Sequence, residues 1–167
     1  HLMAGKVVLL DGQSFDAANM FRAVEKHAIA TLIIVGDAFA RPMVQALKTQ
    51  AESGTPFDTS SVKMIMSTGA MFSADIKAEL FEYMTTTVVM DILGSSEGGM
   101  GQTMATKDNV NTTAKFGAMP NTKVINFETG KEVAPGSGEQ GMVGVSGSGV
   151  PIGYYKDPER TVAVMTG

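Results

Sequence analysis

The chain has 167 residues, enough for one well-buried domain with a small appendage. Charged residues make up 18% of it, the formal net charge is −4 and no Lys/Arg stripe is present, which argues against nucleic acid as a partner. The absence of cysteine excludes disulfides and thiolate metal sites, and no apolar run reaches the length of a membrane span.

The first half alternates strand-like and helix-like segments. Val7 to Leu10 is a short apolar strand. Ser14 or Asp16 caps a helix running to about His27, with Phe21, Val24 and Ala28 on its apolar face. Thr31 to Val35 is a continuous β-branched run of the kind buried on both faces of a sheet. Asp37 opens a second helix with Pro42 in its first turn and Met43, Val44 and Leu47 as its stripe. Ser53 to Pro56 is a loop, and Lys63 to Met66 a third strand. Ser73 caps a third helix, with Ile76, Leu80 and Met84 facing inward, and Thr87 to Leu93 is a fourth strand. Such alternation implies a mostly parallel sheet with flanking helices and right-handed crossovers.

Near Gly101 the helical period disappears and glycine becomes frequent. Thr122 to Phe127, Lys131 to Val133 and Met142 to Ser146 read as short antiparallel strands, joined by turns at Glu128-Thr129-Gly130 and Pro135 to Gly138. Asp157-Pro158 caps and starts a short helix toward Met165. The expected organisation is an α/β subdomain over residues 1–100 and a small β-rich subdomain over 101–167.

Two histidines far apart do not make a zinc site, and His27 suits a helix C-terminus. The 13 methionines read mostly as core filler, with some marking surface that another part of the protein would cover. His1-Leu2 ahead of Met3 reads as a cloning remnant, and no signal peptide is expected. Asn111-Thr112-Thr113 matches a glycosylation acceptor, a pattern too short to weigh by itself.

The chemistry concentrates at Met90-Asp91-Ile92-Leu93-Gly94-Ser95-Ser96-Glu97-Gly98-Gly99. A strand empties there into glycines, two hydroxyls and a carboxylate. Glycine lets backbone approach a ligand, hydroxyls hold phosphate oxygens, and a carboxylate beside them holds Mg²⁺. The same letters fit G-x-S-x-G, the nucleophile elbow of α/β-hydrolases, but that device needs a following helix and a later histidine. Both histidines, His1 and His27, lie upstream. A third reading is a plain glycine turn with no chemistry.

Leu93-Gly94-Ser95-Ser96-Glu97 resembles the Y-G-x-T-E motif of the adenylate-forming superfamily, which includes acyl-CoA synthetases, luciferases and peptide-synthetase adenylation domains. Met64 to Ala70 resembles that family's strand and G-G-A adenine turn, with Thr68 where the first glycine usually sits. Gly138-Glu139-Gln140-Gly141-Met142-Val143-Gly144-Val145 and Gly153-Tyr154-Tyr155-Lys156-Asp157-Pro158-Glu159-Arg160-Thr161 resemble its G-E-x-G-x-x-x-V and G-Y-x-x-x-P-E-x-T signature. The three segments occur in the family's order, and the nearest flavour is the fatty-acyl-CoA synthetases.

The resemblance implies specific roles. Ser96 would touch the α-phosphate of ATP in place of threonine, and Glu97 would bind Mg²⁺; these two are the catalytic candidates. Thr68, Gly69 and Ala70 would lie against the adenine, with Leu93, Gly94 and Ser95 completing the nucleotide contacts. Leu93 replaces a tyrosine, so an aromatic contact is lost. Tyr154 and Tyr155 are expected to pack the β subdomain, and Asp91 to be structural. ATP, Mg²⁺ and coenzyme A are the implied cofactors and co-substrates, and a fatty acid the implied substrate.

The family's phosphate loop, ribose aspartate and C-terminal lysine are not in the sequence, and the chain stops at Thr166-Gly167. The expectation is therefore a central piece of an acyl-CoA synthetase, inactive alone and prone to self-association, cytoplasmic or peripheral to a membrane. An adenylation domain serving a carrier protein and a non-catalytic nucleotide-binding module stay open as alternatives.

Overall fold

The computed structural model describes residues 5–110 and 115–165. Asn111 to Thr113, His1 to Met3 and Thr166-Gly167 lie outside them. The elements in chain order are α1 (Ala17–His27), β1 (Thr31–Ile34), α2 (Gly36–Glu52), β2 (Met64–Thr68), α3 (Ala74–Tyr83), β3 (Val88–Ser95), β4 (Gly98–Ala105), β5 (Gly117–Ala118), β6 (Thr122–Ile125), β7 (Met142–Val145) and α4 (Pro158–Val164). The ladder order is β1-β2-β3-β4-β5, with β6 and β7 in a separate antiparallel pair. The α/β class with a small antiparallel part is thus as the sequence implies. The chain forms two compact units, one of residues 1–92 and 103–115, the other of 93–102 and 116–167.

In the first unit, β1, β2 and β3 are parallel, with Leu32 opposite Ile65 and Ile65 opposite Val89. Both crossovers step along the sheet in one direction, so right-handedness places α2 and α3 on one face. The core lies there: Phe21, Val24, Met43, Leu47, Ile65, Leu80, Phe81, Met84 and Val89 are buried. Each such side chain contributes roughly 1.5–3 kcal/mol. The other face of β1 stays open, so the expectation of a strand buried on both sides fails. Leu32 and Ile34 are buried, but Ile33 is 75% exposed and Val35 is exposed as well.

Other boundaries shift for local reasons. Val7 to Leu10 forms no strand, since nothing among the described residues pairs with it, and Val7 and Leu9 are exposed. Asp16, not Ser14, caps α1 by accepting from the Asn19 N–H at 3.0 Å. Ala28 leaves the apolar face and closes that helix in the left-handed region at φ 49°. α2 starts at Gly36 with Val35 as its N-cap, so Pro42 lies inside the helix rather than in its first turn. A proline there removes one helical N–H and leaves the carbonyl four residues back without that donor.

The second unit contains the end of β3, most of β4, β5, the β6–β7 pair and α4. The glycine-rich stretch after Glu97 forms β4, and β5 pairs with it antiparallel through Gly101 opposite Ala118. Lys131 to Val133 shrinks from a strand to a single bridge between Ile125 and Glu132. The turn before it is held by Asn126, whose Oδ1 accepts from the N–H groups of Glu128 and Thr129, each at 2.8 Å. Among the described residues from Phe116 onward none is buried.

Candidate functional site

Thr68, Gly69 and Ala70 leave the carboxyl end of β2 and are all exposed. Their turn is fastened to the start of α2. Ser67, buried just before it, accepts the Gly36 N–H on its hydroxyl at 3.1 Å, and Asp37 donates its N–H to the Met71 carbonyl at 2.9 Å. Asp37 Oδ1 in turn accepts from the N–H and the hydroxyl of Ser73, at 2.9 and 3.2 Å. Ser73 therefore sits at the N-cap of α3 without capping it through its side chain, because its hydroxyl goes to Asp37.

Gly36 permits this contact. Its φ is +52°, and a Cβ there would lie 2.3 Å from the Met71 carbonyl oxygen and 2.8 Å from that of Ala70. Partial burial pushes the Asp37 carboxyl up, but the Ser73 hydrogen bonds and Arg41 together outweigh it and hold the group below the ordinary carboxylate value. The Arg41–Asp37 pair is 3.0 Å long. Periodicity carries no trace of this anchoring, since its partners are about 30 residues apart in sequence.

Thr68 stands opposite Ile92 in the ladder, one residue before Leu93. Beneath it the buried Lys77 Nζ pairs with Asp91 Oδ2, and the Lys77 ammonium lies 5.2 Å from the centre of the Phe72 ring. Asp91, expected to be structural, joins α3 to β3 in this way. Lysine at a buried helix position is not legible from an amphipathic pattern.

The second cluster belongs to the other unit. Leu93, Gly94 and Ser95 end β3, all exposed, and Ser96-Glu97 form a two-residue turn into β4. Gly98 follows at φ +150°, a conformation that residues with a Cβ rarely adopt. A strand rather than a helix follows the loop, so the nucleophile-elbow geometry is absent. The Glu97 N–H donates to Ser95 Oγ at 3.3 Å. The Ser95 hydroxyl, then the Glu97 N–H, and more weakly the Arg160 charge, hold the Glu97 carboxyl below its usual range against slight desolvation.

Tyr154 donates its hydroxyl to Glu97 Oε1, and the Arg160 guanidinium lies 4.4 Å from the centre of the Tyr154 ring. Tyr154 thus does more than pack. Tyr155, its neighbour in the signature, is 88% exposed and makes no such contact with the loop. The expectation that both tyrosines serve the packing of the β-rich part therefore fails for Tyr155.

No three His, Asp or Glu side chains converge among the described residues, so a cage built of protein ligands alone is not present there. Mg²⁺ is characteristically held by one or two carboxylates together with substrate phosphates. An ionised, solvent-accessible Glu97 beside two serine hydroxyls fits that donor set. An open groove of about 450 Å³, lined by Phe15, Pro42, Ala46 and Phe57 among others, includes none of the predicted site residues.

The fold is of the parallel α/β class, in which ligands bind beyond the carboxyl ends of the strands. The sequence profile of the AMP-binding enzyme family matches residues 1–155, and the chain belongs to that family. It is 35% identical over 161 residues to a medium/long-chain-fatty-acid–CoA/3-oxocholest-4-en-26-oate–CoA ligase of Mycolicibacterium smegmatis, covering 96% of this chain and 29% of the relative. A 3-oxocholest-4-en-26-oate–CoA ligase of Rhodococcus rhodochrous is 34% identical over 168 residues, again covering 96% and 29%. The chain thus spans less than a third of the length of these relatives.

Among solved structures, apo MatB from Rhodopseudomonas palustris matches with a TM-score of 0.66 at 25% identity, covering 89% of this chain and 28% of that one. The luciferase-like enzyme of the nonluminescent Zophobas morio mealworm matches at 0.68 and 20% identity, covering 86% and 34%, a likeness of fold alone. No helix among the described residues is long and apolar enough to cross a membrane.

Proposed function

We propose that this chain is part of an ATP-dependent acid–thiol ligase that activates a fatty acid as its acyl adenylate and passes the acyl group to coenzyme A. The observation that carries the reading is the family match, joined to an ionised Glu97 on a tight turn beside Ser95 and Ser96. Relatives named as ligases of CoA favour coenzyme A over a carrier protein as the acceptor.

In this reading Thr68, Gly69 and Ala70 of the first unit would bring backbone against the adenine, and Leu93 and Gly94 of the second would each contribute a nucleotide contact. Ser95 and Ser96 direct their hydroxyls at phosphate oxygens, and Glu97 would hold Mg²⁺. The cation, when bound, would neutralise charge on the phosphates and on the α-phosphorus as the acid's carboxylate attacks it. The remaining machinery, including a cationic group for the transferring phosphate, would come from other parts of a longer polypeptide. The enzyme would act in the cytoplasm or at a membrane surface.

The test is pyrophosphate release from ATP and Mg²⁺ with a fatty acid and coenzyme A. The full-length polypeptide is expected to release it, and the 167-residue chain alone is not. Glu97→Gln keeps the size of the side chain, removes its charge, and should impair adenylation far more than folding. Equal activity of variant and parent across a Mg²⁺ titration removes Glu97 from the metal. Because two relatives carry a steroid acid in their names, 3-oxocholest-4-en-26-oate belongs in the substrate screen beside medium- and long-chain fatty acids.

A further inference from the structure

We propose that Tyr154 is the positioning residue for the Glu97 carboxylate, with its phenol hydroxyl holding one oxygen so that the group meets a phosphate-bound cation already oriented. The inference rests on the reading of Glu97 as the metal ligand. It gives a physical role to the G-Y-x-x-x-P-E-x-T segment, which the sequence resemblance matched without explaining.

Tyr154 is built into place from every side. Its N–H donates to Thr161 Oγ1 at 2.9 Å, and its carbonyl accepts from the Asp157 N–H at 3.2 Å. Thr161 donates its own hydroxyl to the Asp157 carbonyl at 2.8 Å. Asp157 caps α4 by accepting the Arg160 N–H at 3.0 Å. Gly153 lies so close to Thr161 that an added Cβ would be 3.0 Å from its methyl and 3.1 Å from its hydroxyl. Arg160, from the first turn of α4, covers the ring face at a cation–π distance. The tyrosine backbone and ring are thus held by contacts that do not involve Glu97.

Glu97 stands on a two-residue turn at the tip of a hairpin, where a carboxylate left to itself samples several rotamers. A neutral donor on Oε1 removes that freedom while the negative charge is kept. Metal-ligating carboxylates characteristically carry such outer hydrogen bonds, and loss of one weakens metal affinity or activity by about 10–100-fold. Tyr154→Phe removes only the hydroxyl. The ring under Arg160 and the backbone bonds to Thr161 and Asp157 remain, so a role confined to packing predicts no change in metal binding.

The experiment uses the full-length polypeptide, ATP and Mn²⁺ as a paramagnetic substitute for Mg²⁺. Bound Mn²⁺ is read by electron paramagnetic resonance, and fold integrity by thermal unfolding. Tyr154→Phe should weaken Mn²⁺ binding about tenfold or more, with an unchanged unfolding midpoint, and raise the Mg²⁺ needed for half-maximal activity more than it lowers kcat. Glu97→Gln should abolish the bound signal. If Glu97→Gln abolishes it while Tyr154→Phe binds like the parent, or more tightly, the positioning role is overturned and the metal reading stands. If Glu97→Gln binds like the parent, the metal reading falls and takes the positioning role with it.

Discussion

Lys77 and Asp91 offer the sharpest test of how the first unit is held together. Lys77 is 1% exposed and Asp91 is 9% exposed, and the ammonium bonds one carboxylate oxygen. The other oxygen, Asp91 Oδ1, is buried without a hydrogen-bond partner. Replacing Lys77 by Met keeps the length of the side chain and leaves the buried carboxylate without its cation. Breaking one partner of a buried pair costs roughly 3–5 kcal/mol. Against a total stability of about 5–15 kcal/mol this can remove half the margin.

The double variant Lys77→Met/Asp91→Leu should recover most of the loss, because two matched apolar groups need no desolvated partner. The cycle should therefore show strong non-additivity, on the order of 2–3 kcal/mol. Urea titration followed by far-UV circular dichroism is the suitable assay, since the chain has no tryptophan to report by fluorescence. A loss below about 1 kcal/mol for Lys77→Met, or a double variant as unstable as the sum of its singles, refutes the reasoning.

Gly36→Ala should destabilise by at least about 2 kcal/mol, from left-handed strain of roughly 1–2 kcal/mol plus overpacking against the Ala70 and Met71 carbonyls; a urea midpoint within error of the parent would remove the claimed contact. Asp37 has a folded pKa below its unfolded one, so its contribution is present above the unfolded value and is lost as pH falls through the folded value. Asp37→Asn should accordingly flatten the decline in urea midpoint over the acid range below about pH 4, and an unchanged decline counts against the Ser73 and Arg41 bonds as its source. The open face carrying Ile33 and Val35 should let the 167-residue chain self-associate, with scattering mass rising with concentration and reduced by Ile33→Lys. A strict monomer at high concentration ends that argument.

Local sequence determined much of this protein because its signals act over a few residues. Asp16 and Asp157 accept from an N–H three positions on, and the i, i+4 spacing of Ile76, Leu80 and Met84 puts them on one buried stripe. The loop at Gly94 to Glu97 was legible as a polar, glycine-rich strand exit, and the ordered motifs carried the family. Tertiary structure alone decided the rest, because the deciding partners are distant in the chain. Whether Thr31 to Val35 is covered on one face or two depends on which side the crossover helices take, not on its own β-branched residues. A strand such as β4 exists through its neighbours in the ladder, so its glycine-rich sequence could not announce it. Lys77 is tolerated inside only because Asp91 meets it, and Tyr154 acquires a purpose only when folding brings its hydroxyl to Glu97, 57 residues away.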